Sequence, residues 1–134
     1  MIVADTNLIC YLLLTGPQSQ LAEQVLQKDA QWMVPPLWRS EFRNVLALYV
    51  RQEILTLNQS VQIFDTALDL MIGHEYEVTS ARVLQLAHES GCSAYDCEFV
   101  VLAETLRVLL VTSDAKVLKA FSRLALSPQQ FCSA

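Results

Sequence analysis

The chain has 134 residues, 53% of them hydrophobic, only 17% charged, and a net charge of −5 at pH 7. That length fits one domain, residues 1–134, able to bury roughly two thirds of its unfolded surface, and so few charges leave apolar surface for a second copy to cover. The acidic balance excludes a protein that coats nucleic acid by charge alone, but not one whose pocket holds divalent cations that cancel its own charge.

The first predicted element is a strand at Ile2 to Ala4, with no basic segment before it. The apolar run Leu8 to Leu14 is too short for an anchor, so a soluble, cytoplasmic protein without membrane partners is expected. Helices are predicted from Thr6 to Leu14 and from Ser19 to Asp29, the second following Gly16-Pro17. A short strand at Trp32 to Val34 then meets Pro35-Pro36, which suits a helix start. Long helices at Leu37 to Gln52 and Gln59 to Ile72 are expected to pack as a hairpin. Asp65 and Asp69 fall with Gln62 and Thr66 on the polar side of the second, a solvated face.

A strand near Glu75 to Val78 leads into a helix from Ser80 to Ser90, which Gly91 stops. The remaining elements are a helix from Tyr95 to Leu106, the strongest strand at Val108 to Thr112, a helix from Ala115 to Ser122 and a strand near Ala125 to Ser127. Strands separated by helices predict an α/β three-layer sandwich: a mainly parallel central sheet of four to five strands with helices on both faces. Right-handed crossovers bring the ends of the first strand and of the Val108 strand to one edge, where such sheets bind ligands.

Four acids stand out against this layout: Asp5, Glu41, Asp96 and Asp114, each beside or inside an apolar segment. Asp5 and Asp114 follow strands, where an Asp is also an ordinary helix N-cap. Glu41 shares a helix face with Leu37, Val45 and Leu48, and Asp96 shares one with Phe99, Val100 and Ala103. Neither position is a cap in this reading, and an ion pair to Arg39, Arg43, Arg82 or Arg107 is the plain alternative. An unpaired buried carboxylate costs several kcal/mol, so it is protonated, paired or bound to a metal. Hard cations such as Mg²⁺ or Mn²⁺ take oxygen ligands and leave positions open for substrate. Such a site can orient a phosphodiester, activate water and stabilise the leaving oxygen, which makes hydrolysis of a nucleic-acid backbone the natural reaction class.

The segments Ile2-Val-Ala-Asp-Thr-Asn7, Val34-Pro-Pro-Leu-Trp-Arg-Ser-Glu41, Ser93-Ala-Tyr-Asp96 and Leu110-Val-Thr-Ser-Asp114 resemble the four acidic motifs of PIN-domain ribonucleases. The length and helix order are similar to those of VapC toxins of toxin–antitoxin pairs, over nearly the whole chain. The resemblance implies that Asp5, Glu41, Asp96 and Asp114 bind Mg²⁺ or Mn²⁺ and that Asn7 and Thr112 support the pocket. It further implies an RNA substrate, a homodimer, a cognate antitoxin that silences the enzyme, and DNA contact only through that antitoxin. A non-catalytic PIN-like module that binds RNA or protein is the competing expectation. A phosphoryl-transfer enzyme or receiver domain also gathers acids at strand ends, but Asp5-Thr6-Asn7 lacks the second aspartate such a phosphatase motif carries.

Other residues carry weaker signals. Lys116, Lys119 and Arg123 are expected along one side of the helix after Asp114, either holding RNA phosphates or simply solvated. Thr112 is either an orienting group for Asp114 or a strand-end hydroxyl bonded to backbone. Glu98 is expected at the pocket rim or in solvent. Arg39 and Arg43 are expected to point away from Glu41, toward a subunit or antitoxin interface. Trp32, Trp38 and Tyr49 suit packing more than base stacking, and His74 and His88 read as surface residues. Cys10, Cys92, Cys97 and Cys132 lack metal-type spacing and read as buried free thiols.

Overall fold

In the computed structural model, which describes residues 1–134, the opening apolar run forms β1 (Ile2–Ala4), every residue buried. A strand buried on both faces reads as an unbroken apolar run, and this one is paired on both edges. Its neighbours are β2 (Trp32–Met33) and β3 (Leu110–Val111), and β4 (Ala125–Leu126) lies beyond β3. All pairings are parallel, in the order β2-β1-β3-β4. Because the chain runs from β1 to one side and returns on the other, β1 and β3 flank the point where strand order reverses. A crevice opens there at the carboxyl ends of the strands, just where Asp5 and Asp114 follow.

The helices are α1 (Thr6–Leu13), α2 (Ser19–Lys28), α3 (Leu37–Arg51), α4 (Leu57–Met71), α5 (Ser80–Ser90), α6 (Ala94–Leu106), α7 (Ala115–Ala120) and α8 (Pro128–Ser133). Helix α6 has an almost wholly apolar run from Phe99 to Ala103, no residue of it more than 2% exposed, and it packs on β1 and β3 with α5 beside it. The other long helices form a second group, α1 packing against α2, α3 and α4. Trp38, Phe42 and Phe64 fill the α3–α4 contact, with ring centroids 5.8 to 6.3 Å apart. Trp32 and Trp38 are core residues, 1% and 0% exposed, which removes both from any base-stacking role.

Three expectations are corrected. The segment from Glu75 to Val78 is no strand: it makes a single bridge, Val34 to Glu75, and the next residues, Tyr76 and Glu77, are exposed. Glu75 instead turns its carboxylate to Trp38 and Arg39. The Val108 strand is shorter than expected because the Val108 amide still bonds to Ala103 at the end of α6. Finally, α8 was not expected, although its capping box is written in Ser127-Pro128-Gln129-Gln130: the Ser127 hydroxyl accepts from the Gln130 amide and the Gln130 side chain accepts from the Ser127 amide. The same device, Thr56 with Gln59, starts α4 two residues earlier than its apolar pattern suggests.

Candidate functional site

Asp5 leaves β1 and caps α1, its Oδ1 accepting the Thr6 amide at 2.7 Å. Its Oδ2 accepts the Thr112 hydroxyl at 2.6 Å. That hydroxyl also accepts the Asp114 amide at 3.0 Å, and Thr112 is fully buried at 0% exposure. One side chain at the end of β3 therefore fixes both strand-end acids. Asp114 in turn caps α7 through Oδ1 and the Val117 amide at 3.0 Å. Glu41 reaches over from α3, and its Oε1 accepts the hydroxyl of buried Thr6 at 2.7 Å. Asp96 stands in the first turn of α6, whose N-terminus Ser93 caps by accepting the Asp96 amide at 3.0 Å.

These four acids line one cleft of about 450 Å³, together with Thr6, Asn7, Cys10, Asn44 and Val45. No lysine or arginine lines it, and the ion pairs of the protein lie elsewhere: Met1 amino group with Asp29, Arg39 with Glu75, Arg82 with Glu104. Burial raises the Asp5 carboxyl above the usual range; bonds from Thr112 and Thr6 oppose this, and Asp96 and Asp114 add repulsion. Burial likewise raises Glu41, against the Thr6 bond and with repulsion from Asp5, Asp96 and Glu98. The Cys10 thiol is pushed up to about 12 by burial and by the charges of Asp5 and Glu41, so it stays protonated and is a poor ligand.

The donor set fits a hard divalent cation. It consists of carboxylate oxygens from four separate elements, with no protein cation to balance them. Asn7 adds its Oδ1, the one buried side-chain polar atom without a hydrogen-bond partner. As the side chains stand, no three acids or thiols converge closely enough to hold an ion. Each of Glu41 and Asp114 has a second oxygen outside its hydrogen bond, and the Asp96 carboxylate makes none, so all three have oxygens free to accept.

Capping and pocket formation turn out to be compatible at Asp5 and Asp114, since a carboxylate has lone pairs for both. The ion-pair alternative for Glu41 and Asp96 is absent: Arg39 and Arg82 hold other acids, and Arg43 donates to Ser40 and lies over the Phe64 ring. Asp96 lies in the first turn of a helix that starts at Ala94, one residue before the expected Tyr95. Lys116, Lys119 and Arg123 do not form one row: α7 ends at Ala120, which puts Arg123 in the following turn, and Lys116 donates to the Gly91 carbonyl at 2.7 Å. None of the three lines the cleft. Glu98 is half-buried in the wall of a second cavity and does not line the acidic cleft, and all four cysteines are free, Cys92 and Cys97 buried and Cys10 and Cys132 half-buried. Sequence reasoning passed over Thr6 and Asn44; the signals were there, Thr6 inside the Asp-Thr-Asn triplet and Asn44 one turn after Glu41.

A family model described as PIN domain matches residues 2–125, a span that includes all four acids. Among curated proteins, none matches the chain.

Proposed function

The chain belongs to the PIN-domain family, whose members are generally nucleases, and from that premise we propose that it is a Mg²⁺- or Mn²⁺-dependent endoribonuclease, the toxin of a VapC-type toxin–antitoxin pair. The observation that carries the reading is the cleft itself: four carboxylates brought together from distant parts of the chain, three of them oriented by hydroxyls or amides, and none matched by a cation.

In this reading Asp5, Glu41, Asp96 and Asp114 hold the metal, which when bound polarises the scissile phosphodiester and activates water. Thr112 keeps Asp5 and the start of α7 in fixed relation, so that two ligands from different strands move as one. Thr6 does the same for Glu41. Asn7 offers a neutral oxygen where a fifth carboxylate would add repulsion. Without cation the cleft repels phosphate, so RNA binding and metal binding are coupled. The protein works as a single domain and a cytoplasmic homodimer, silenced by a cognate antitoxin that also supplies any contact with DNA; no helix is long and apolar enough to cross a membrane.

The test is cleavage of structured RNAs with Mg²⁺ or Mn²⁺ by wild type, Asp5→Asn and Asp96→Asn. Undiminished cleavage by both variants defeats the proposed site. The toxin role is checked by growth arrest on expression, relieved by the product of a neighbouring antitoxin gene. One observation favours a non-catalytic PIN-like binding module instead: no three acids, thiols or imidazoles converge on one point as they stand. Calorimetry separates the two, because that module takes up no Mn²⁺ at millimolar concentration.

A further inference from the structure

Beside the acidic cleft lies a second cavity of about 580 Å³, whose walls include Glu77, Val78, Val83, Leu84 and Glu98. The two share no lining residue, but Glu98 and Pro36 tie one to the other. Glu98 follows Asp96 by two residues on α6 and adds to the repulsion on Glu41, and Pro36, also in the wall, leads directly into the helix that carries Glu41.

Its chemistry differs from that of the cleft. Neither Glu77 nor Glu98 takes part in an ion pair, and no lysine or arginine lines the cavity, so a phosphate has no counter-charge there. Leu84 is 65% exposed, and Tyr95, one turn before Glu98 on the same side of α6, is 64% exposed. Bare apolar side chains beside uncompensated carboxylates suit an occupant with a flat apolar face and hydrogen-bond donors on its edge. An unpaired nucleobase has that form.

We propose that this cavity is a guanine subsite for the nucleotide next to the scissile phosphate, with Leu84 against the base and Glu98 accepting from its Watson–Crick edge. The proposal rests on the reading of the neighbouring cleft as an RNA-cutting centre. Guanine is singled out because its N1–H and N2–H₂ lie side by side, two donors matched to the two oxygens of one carboxylate. Adenine and cytosine set an acceptor nitrogen next to their amino group, and uracil flanks its single N–H with carbonyls, each of which opposes a carboxylate. Phosphate in the acidic cleft and base in the adjoining cavity would fix the register of cleavage.

The experiment titrates guanosine and uridine into metal-free protein in the presence of a chelator, following the backbone amide NMR signals of residues 77–84. Guanosine is expected to move these signals and to bind at least about tenfold tighter than uridine. Glu98→Gln is expected to erase that preference, and Leu84→Ser, at an exposed position that the fold does not need, to weaken both nucleosides alike. Absence of shifts with guanosine, equal binding of uridine, or a preference that survives Glu98→Gln overturns the proposal, the first of these leaving a partner protein as the occupant. No metal and no cleavage enter this measurement, so its failure is distinct from failure of the nuclease reading, which Asp5→Asn and Asp96→Asn test.

Discussion

Carboxylates meet opposite fates in two regions of this protein. On the far side of α3 from the cleft, Glu75 is gripped by a fork from Arg39 at 2.7 and 2.6 Å and by the indole N–H of buried Trp38 at 2.7 Å. Arg39 first, then Trp38, overcome its burial and hold its carboxyl below the usual range. Glu104 likewise accepts a fork from Arg82, at 3.0 and 2.9 Å. In the cleft, Asp5 and Glu41 receive only hydroxyls and an amide, and both are raised. A neutral donor orients a carboxylate without cancelling its charge; an arginine does both. The first arrangement suits a site that awaits a cation, the second a structural joint.

The largest expected break in that contrast is Asp96→Asn. It removes a charge from the only cleft acid whose carboxylate makes no hydrogen bond, so the fold keeps every other contact. RNA cleavage is expected to fall at least about a hundredfold, beyond what loss of a supporting residue costs a metal site, while the metal-free variant melts no lower than wild type. Activity close to wild type would show that Asp96 is a bystander.

Thr112→Val comes next, because it removes orientation and leaves charge. Asp5 Oδ2 loses its donor and the Asp114 amide loses its acceptor, both half-buried beside the fully buried Thr112 side chain. A loss of about 1–3 kcal/mol in urea unfolding is expected, with metal affinity or cleavage down about 10–100-fold. A variant that loses stability but not metal affinity would make Thr112 only a strand-end tie.

That dual role marks the limit of what the sequence shows. The buried strand Ile2–Ala4 and the core helix from Ala94 are legible because unbroken apolar runs have few other uses, and Asp5 and Asp114 follow from their place after strands. What a single chain of letters does not carry is partnership across the fold. Thr6 and Glu41 are 35 positions apart, and Thr112 and Asp5 are 107 apart; nothing local distinguishes either threonine from one bonded to its own backbone. Arg39 and Arg82 were equally eligible for the cleft acids, and only topology assigns them to Glu75 and Glu104. The α8 capping box, by contrast, is local and was readable.

Glu75→Ala strikes the opposite region. The Trp38 indole, 0% exposed, loses its acceptor, and a destabilisation of about 1–3 kcal/mol is expected from that orphaned donor, with cleavage per folded molecule unchanged. The sign with pH is set by Glu75's lowered carboxyl: its contribution is present above its unfolded value of 4.5 and is lost as pH falls through the folded value. The difference between wild type and Glu75→Ala should therefore narrow in acid, measured by urea unfolding at several pH values.

Glu41→Gln has the smallest expected effect and the opposite sign. Glu41 is raised above 4.5 in the folded protein, by burial first, then by Asp5, Asp96 and Glu98 against the Thr6 bond. A carboxyl raised on folding contributes stability below its unfolded value that is lost as pH rises through the folded one. Metal-free wild type thus carries a cost near neutrality that Gln does not, while Gln keeps an oxygen for the Thr6 hydroxyl. In chelator the variant should match wild type in acid and melt about one or two degrees higher at neutral pH. Added Mg²⁺ should then stabilise wild type more than the variant and close the gap, since only a group that binds the ion in the folded state gains from it. If metal-free Glu41→Gln instead unfolds more easily at every pH, the Thr6 bond needs a carboxylate, Glu41 belongs with Glu75 as a structural acid, and the contrast between the two regions fails at that residue.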